Sequence, residues 1–453
     1  MAIFFVIAAI AFFLKSNIYL DPDLGWQIKT GEYILKHGFP YTDPFSYTMP
    51  HFRVVAHSWL SDILFYTTIQ KCGMLCLSML VSISLAAILV VIFGISWHTW
   101  TFIPALLLCA HILPYVGIRP QTFSWLLFAI LVRVLTDSVL NKKYKKFLPY
   151  VFLFWAQVHG GFFIGLVILG IYTAYSYAKT KGMQDVLLIM YSAALTIINP
   201  YGLALWREVF STFLSLTLHS SVNEWTPIIS RLDLRLGIVF LLPLALLFRY
   251  WKRFPSFLLQ SYFILSIAML SASKLFPFWL IVAVYIINKG FGYLGQDVAS
   301  IPGAPKRYGV LLYVISLVVI TNSIILAVAT VRTYGNLSEE KYYPVKAVKY
   351  IQNNPPQGNI FAPFGWGGYL IWKLPEKKVF IDGRMAYWEN VLDEYIKIVT
   401  LQSPFEKYAS SYNIRMVLVQ KSKTSFVNLA SHLKEIGWEK AYEDDTTLLL
   451  IYK

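Results

Sequence analysis

The stretch DPDLGWQIKTGEYILKHGFPYTDPFSYT, Asp21 to Thr48, directly follows an apolar run from Ile3 to Leu20 and brings three aspartates together with several aromatic residues. Acids set against the end of an apolar run need a reason, because a carboxylate at a membrane surface is costly to hold without a cation, a hydroxyl or a proton to share. Asp21 before Pro22 reads as a helix start: the carboxylate can accept from free backbone N–H groups while proline takes the first helical position. Asp23 then falls in the first turn, where the helix dipole favours it. Leu24, Ile28, Gly31 and Leu35 recur at spacings of four, three and four, with Lys29, Glu32 and Lys36 on another face. The spacing predicts an amphipathic helix lying on a membrane surface. Asp43 before Pro44 marks a second helix or turn start, and His57, Trp59 and Asp62 open a further segment.

The rest of the chain supplies the membrane. Its 453 residues are 57% hydrophobic and 17% aromatic, with a mean hydropathy of +0.56, which excludes an ordinary water-soluble domain over most of the length. Apolar runs at 3–20, 73–95, 101–118, 121–140, 147–159, 161–178, 184–199, 236–249, 256–272, 275–289 and 309–331 predict a polytopic α-helical membrane protein with about eleven transmembrane helices. Several are shorter than the ~20 residues of a straight crossing, so tilted or partial spans are expected. The first run lacks a basic leading segment and a small-residue cleavage site, and reads as a retained span rather than a signal peptide. A formal charge of +15 points to bilayer orientation and not to nucleic acid, since the cations cluster in short loops between apolar runs. Cys72, Cys76 and Cys109 are odd in number, lack metal-ligand spacing and read as buried thiols.

One topology accommodates every cationic cluster. With the N-terminus cytoplasmic, the loops bearing Lys142, Lys143, Lys145 and Lys146, then Lys179 and Lys181, then Arg249, Lys252 and Arg253, then Lys289, Lys306 and Arg307, all fall inside. This requires two spans between 147 and 178. The outer face then receives 21–72, the turns near Arg119, His159 and Lys274, the loop 200–235 and everything after Arg332. Residues 1–335 form the expected transmembrane domain, with 21–72 as its outer loop. Residues 336–453 are polar enough to fold in water: the runs IFAPF, KVFID, MVLVQ and TLLLIY alternate with helical stretches near 344–354, 389–400 and 425–436, predicting an extracytoplasmic α/β domain.

Asp23-Leu24-Gly25-Trp26-Gln27-Ile28-Lys29-Thr30, continuing through Tyr33 and Ile34, resembles the first acidic motif of the oligosaccharyltransferase catalytic subunit. WAQVHGG at 155–161, NPYG at 199–202, EW at 224–225 and GWGGYLIWKLPEKKVFIDGR at 365–384 are similar in order to segments of a bacterial branch of the GT-C membrane glycosyltransferases. A counterpart of the sequon-binding motif is missing, so the resemblance does not extend to peptide glycosylation. It implies transfer of a sugar from a polyprenyl-phosphate donor to a glycan, lipid or protein acceptor at the outer face of the plasma membrane.

That reaction makes definite demands. A carboxylate must accept or orient the proton of the acceptor hydroxyl, for which Asp23 is the first choice and Asp21 the second. The leaving phosphate needs positive charge, and Arg119, Lys274 and Arg53 are the outer-side cations available. Each also has a plain reading: a snorkelling anchor for Arg119, a turn marker for Lys274, a solvated charge for Arg53. His57 and His159 lie near the outer boundary, where a lone histidine is more often structural but also suits substrate contact. Asn199 and Tyr201 could bind sugar hydroxyls or simply make the Asn-Pro turn. Glu224 beside Trp225 suits a sugar, whose face stacks on an aromatic ring while a carboxylate accepts from its hydroxyls. An Asp-x-Asp pair also suits a divalent cation, magnesium or manganese, bridging phosphate oxygens. Asp382-Gly383-Arg384 ends an expected strand where loops often carry ligands, and a turn explains it as well. Arg133 and Asp137, four apart in one span, are expected to neutralise each other. A transporter or flippase is the alternative function, but it would place ionisable groups near the bilayer midplane, whereas most polar residues here gather at one surface. A scaffold whose tail binds partners is a third reading.

Overall fold

A computed structural model describes residues 2–94, 97, 99–215, 224–228, 234–299, 304–335, 338–384 and 389–452. Parts of the expected outer loop, 216–223 and 229–233, lie outside the described residues, as do the side chains of Lys306 and Arg307. Every apolar run is helical. The helices are α1 (Ala2–Ile18), α2 (Leu24–His37), α3 (Trp59–Phe93), α4 (Phe102–Ile112), α5 (Gln121–Thr136), α6 (Ser138–Tyr144), α7 (Leu148–Val158), α8 (Phe162–Thr180), α9 (Gln184–Leu195), α10 (Leu203–Leu214), α11 (Leu234–Tyr250), α12 (Ser256–Ser271), α13 (Phe276–Ala299) and α14 (Ala304–Gly335). The tail adds α15 (Glu339–Tyr342), α16 (Val345–Asn353), α17 (Gly367–Lys373), α18 (Glu389–Val399), α19 (Phe405–Ser411) and α20 (Thr424–Glu435), with strands β1 (Asn359–Phe361), β2 (Ile414–Gln420), β3 (Glu439–Glu443) and β4 (Thr447–Ile451). Four segments among the described residues, Trp59–Phe93, Phe162–Thr180, Ser273–Val298 and Ser316–Gly335, are long and apolar enough to cross a membrane. The chain is thus a multi-pass membrane protein. Helices also fill 147–178 as an expected pair: α7 ends at Val158 and α8 begins at Phe162.

The chain divides into two compact units, and the division follows a different line from 335/336: Met1–Asn17, Ser78–Phe210 and His219–Thr333 form one, while Ile18–Leu77 joins Tyr334–Lys453 in the other. In the first unit α13 is the core element. It is apolar on all sides, with an unbroken buried run from Phe278 to Ile287, and packs against α4, α5, α11 and α12. The window around it is 83% buried, against 22% for Ser316–Gly335, whose Leu317, Ile324, Val328 and Val331 remain exposed in the manner of a lipid-facing helix. Side-chain hydrogen bonds tie the helices where no water can: Ser82 Oγ donates to the Ala9 carbonyl at 2.6 Å and Trp279 Nε1 to Ser266 Oγ at 2.9 Å. Lys15, only 4% exposed, donates to the Val116 carbonyl at 2.8 Å.

In the second unit the tail forms a four-stranded sheet in the order β1-β2-β4-β3, with β1 parallel to β2 and the other pairs antiparallel. Central β2 is buried nearly throughout, as its continuous run MVLVQ requires. Phe361, Val417, Phe426, Leu429, Leu433 and Leu450 form the heart of this core. KVFID does not form a strand of its own. Val379 instead makes isolated bridges to Ile360 and to Ser46, because the loop after α2 takes its hydrogen bonds: Tyr47 N–H donates to Val379 O at 3.2 Å and Val379 N–H to Phe45 O at 3.0 Å. Tyr47 Oη and Thr48 Oγ1 donate to the carbonyls of Ile360 and Phe380, each at 2.9 Å.

Three expectations are corrected here. The helix after the first run begins at Leu24, because Asp21 and Pro22 form a tight turn in which Leu24 N–H donates to Asp21 O at 3.1 Å. Nor is the buried surface of α2 a single stripe: Leu24, Ile28 and Gly31 are buried as expected, but so are Trp26, Gln27 and Thr30, while Leu35 is 53% exposed. The cause is glycine packing on two sides. A Cβ at Gly25 would lie 2.0 Å from the Gly368 carbonyl oxygen of α17, and one at Gly31 would lie 2.1 Å from the Asp62 carbonyl oxygen of α3. Cys72 and Cys76 are joined in a disulfide and are not buried thiols, flanking the break at Gly73, whose φ is 78°; Cys109 is a free, half-buried thiol.

Gly25→Ala is expected to destabilise the protein by about 1–3 kcal/mol, the usual cost of overpacking, read as a lower midpoint of thermal unfolding in detergent. Leu35→Ala, on the exposed side of the same helix, leaves that midpoint unchanged.

Candidate active site

The second unit gathers carboxylates around the start of α2. Asp21, 2% exposed, turns its Oδ1 back to accept from Asp23 N–H at 3.0 Å. Asp23 Oδ1 accepts from the Trp26 indole N–H at 3.0 Å, a contact one helical turn long that fixes the carboxylate instead of leaving it to cap N–H groups. Gly383 lies directly beneath: a Cβ there would stand 2.0 Å from Asp23 Oδ1. The tail's Asp382-Gly383-Arg384 thus belongs to the surroundings of Asp23, and a glycine is needed because the carboxylate occupies the space of a side chain.

Arg384 binds this region together. Its Nη1 donates to Asp43 Oδ1 at 2.9 Å, its Nη2 to Asp382 Oδ2 at 2.8 Å and its Nε to Asp382 Oδ1 at 3.0 Å. Asp43 also accepts from Phe45 N–H at 3.1 Å and Ser46 N–H at 3.0 Å, so it is both a turn former, as its sequence suggests, and an ion-pair partner. Burial alone would lower the Arg384 pKa, but Asp382 and Asp43 raise it and keep the guanidinium charged. Its Cζ lies 4.9 Å from the Phe45 ring centroid and 6.0 Å from that of Trp26. The same indole therefore meets Arg384 and Asp23. His57 sits half-buried in the turn before α3, and Arg53 is exposed, in keeping with a solvated charge.

The first unit gathers the cations. Arg119 Nη1 pairs with the Glu224 carboxylate. The Glu224 carbonyl accepts from Lys274 N–H at 2.8 Å and from Ser273 Oγ at 3.0 Å, while the Lys274 ammonium lies 5.0 Å from the Trp225 ring centroid. Glu224 thus links Arg119 and Lys274, which are 155 residues apart in number (274 less 119). A second group forms at the α7–α8 break. His159 Nδ1 accepts from Gly161 N–H at 3.0 Å and lies 2.9 Å from Ser124 Oγ, which accepts from Trp155 Nε1 at 2.7 Å. A backbone N–H can only donate, so the proton of the neutral ring is on Nε2. Gly161 admits this corner, since a Cβ there would meet Ser124 Oγ at 2.7 Å. Asn199 is engaged in its turn: Nδ2 donates to Thr196 O at 2.9 Å and Gly202 O at 3.1 Å, and Oδ1 accepts from Tyr201 N–H at 2.8 Å. Glu208 in α10 is a residue the sequence does not single out; burial pushes its carboxyl up to about 7. The expected Arg133–Asp137 pair forms at 3.0 Å. Among the described residues no group of three or more His, Cys, Asp or Glu is arranged to hold a metal ion.

Replacing Arg384 by Gln is expected to cost about 3–5 kcal/mol, because it leaves Asp43 and Asp382 buried without a counter-charge. Thermal unfolding of the purified variant, beside Lys407→Gln at an exposed site in the same tail, measures the difference.

No protein-family model and no curated protein matches the chain. Two solved structures of ArnT from Cupriavidus metallidurans each align over 99% of this chain and 97% of their own: one bound to undecaprenyl phosphate, at 13% identity and a TM-score of 0.52, and one in the apo state, at 12% and 0.53. The similarity runs from end to end, membrane helices and tail alike, at an identity that speaks for fold alone. ArnT is a GT-C glycosyltransferase, and this chain shares its fold.

Proposed function

We propose that the protein is a membrane glycosyltransferase that moves a sugar from a polyprenyl-phosphate-linked donor to an acceptor at the outer face of the membrane, with its N-terminus cytoplasmic and its tail extracytoplasmic. The observation that carries this reading is the likeness in fold to ArnT over nearly the whole chain, since one of the ArnT structures is bound to undecaprenyl phosphate. In the proposed reaction the acceptor oxygen forms a bond to the anomeric carbon as the bond from that carbon to the phosphate oxygen breaks. Asp23 takes the acceptor proton, its carboxylate oriented by the Trp26 indole N–H. Asp21 supports it through the Asp23 backbone N–H and does not itself take the proton. The phosphate leaves as an anion and needs positive charge rather than a proton. Arg119 is matched by Glu224, so Lys274 contributes the net charge at that cluster. Trp225 and Glu224 suit the sugar, through ring stacking and hydroxyl contacts.

Asp23→Asn is expected to lower transfer from radiolabelled polyprenyl-phosphate sugars by about 10²–10⁴-fold, the usual share of a general base, with a smaller loss for Asp21→Asn. Undiminished transfer by both variants would remove these carboxylates from the chemistry. Gly383→Ala, which forces a Cβ to within 2.0 Å of Asp23 Oδ1, is expected to reduce transfer while leaving retention of the polyprenyl phosphate intact, as measured by co-purification of the labelled lipid.

A further inference from the structure

Away from the residues assigned to transfer, the first unit holds a cavity of about 840 Å³ between α3, α5 and the start of α7. Val90, Ile130, Val134 and Val151 give it apolar walls. Its rim carries Arg133, Tyr144 and Phe147. Arg133 is neutralised by Asp137, but the segment from Ser138 to Leu148 contains Lys142, Lys143, Lys145 and Lys146 and no acid. Lys145 is taken up by Asp185 at 2.6 Å. The other three side chains are exposed, and among the described residues none of them meets a carboxylate. Two of them stand over the rim itself: Lys143 Nζ lies 5.0 Å from the Tyr144 ring centroid and Lys146 Nζ 5.2 Å from that of Phe147. Tyr150 and Phe154, 65% and 51% exposed, extend the aromatic row along α7, the pattern of side chains at a headgroup boundary.

An apolar trough with two uncompensated ammonium groups at its rim, and a third, Lys142, on the same short segment, matches one class of ligand on both counts. A soluble anion would satisfy the lysines and leave the walls uncovered; a zwitterionic lipid would cover the walls and set its own cation against the lysines. We infer that this cavity binds an anionic phospholipid of the surrounding bilayer, an acyl chain along the valine-lined walls and the phosphate against Lys142, Lys143 and Lys146. The site is independent of the proposed transfer chemistry.

Native mass spectrometry of the full chain in detergent tests this, with phosphatidylglycerol and phosphatidylcholine of identical acyl chains as probes. The wild type is expected to retain phosphatidylglycerol preferentially, and Lys142→Gln, Lys143→Gln and Lys146→Gln to weaken that preference by about fivefold for each lysine removed. Dihexanoyl phosphatidylglycerol, too short to fill the trough, is expected to bind more weakly than the dioleoyl form. All three substitutions are at exposed positions, and the folded fraction is followed by thermal unfolding alongside Lys421→Gln/Lys440→Gln, a control in the tail. Equal retention of the two lipids by the wild type overturns the inference. So does a preference that survives in the triple variant, an equal loss in the tail control, or displacement of the lipid by inorganic phosphate.

Discussion

The second unit depends on how closely one helix is allowed to approach its neighbours. Gly25 meets the backbone of Gly368, Gly31 meets the backbone at Asp62, and Gly383 meets the carboxylate of Asp23, each at a distance that no side chain tolerates. Glycine costs conformational entropy in a helix, and here the return is that α2 packs backbone to backbone against α17 and α3. With the axes so close, the side chains at the start of α2 have few places to go, and Asp23 is pressed between an indole N–H and a glycine in the tail. A carboxylate confined in this way retains one orientation, which is what the role proposed for Asp23, receiving a proton at a fixed substrate atom, needs.

Charge within this unit follows the same economy of space. Arg384 uses Nη1, Nη2 and Nε on Asp43 and Asp382, and it places its cationic plane near Trp26, the residue that orients Asp23. The tail is therefore part of the surroundings of the loop that follows α2 and not an appendage to it. The loop reciprocates, since Tyr47 and Thr48 bond to the tail's Ile360 and Phe380. The sheet edge that would otherwise lie open near β1 is met by Val379 and, through it, by the loop.

In the first unit, polar groups are held by a different rule. Where lipid or packed side chains exclude water, each polar atom needs a partner from the protein, and the structure supplies them at helix breaks: Lys15 on the Val116 carbonyl, His159 between Ser124 and Gly161, Glu224 joining Arg119 to the turn at Lys274. These breaks are where the sequence puts its rare polar residues. At the α5–α7 bend, by contrast, lysines outnumber the acids available to them, and the imbalance faces an apolar cavity.

Much of the architecture was legible in the sequence because hydropathy is a local property. The apolar runs became helices, one of them, 121–140, in two pieces broken at Asp137, the double glycine at 160–161 ended one helix and allowed the next, and the alternation in the tail became sheet and helix except at KVFID, since a residue's preference for lipid or for a pleated surface depends little on distant neighbours. Asp23, Arg119 and Lys274 could be singled out by type and position for the same reason. What only the tertiary structure decided is who meets whom. Nothing near Asp43 announces Arg384, which lies 341 residues away; nothing near Gly383 announces the Asp23 carboxylate; and Leu35, on the same face by its spacing as the buried Leu24, Ile28 and Gly31, is exposed in the last turn of the helix. Pairing across the chain is set by close packing, and close packing is a property of the folded whole.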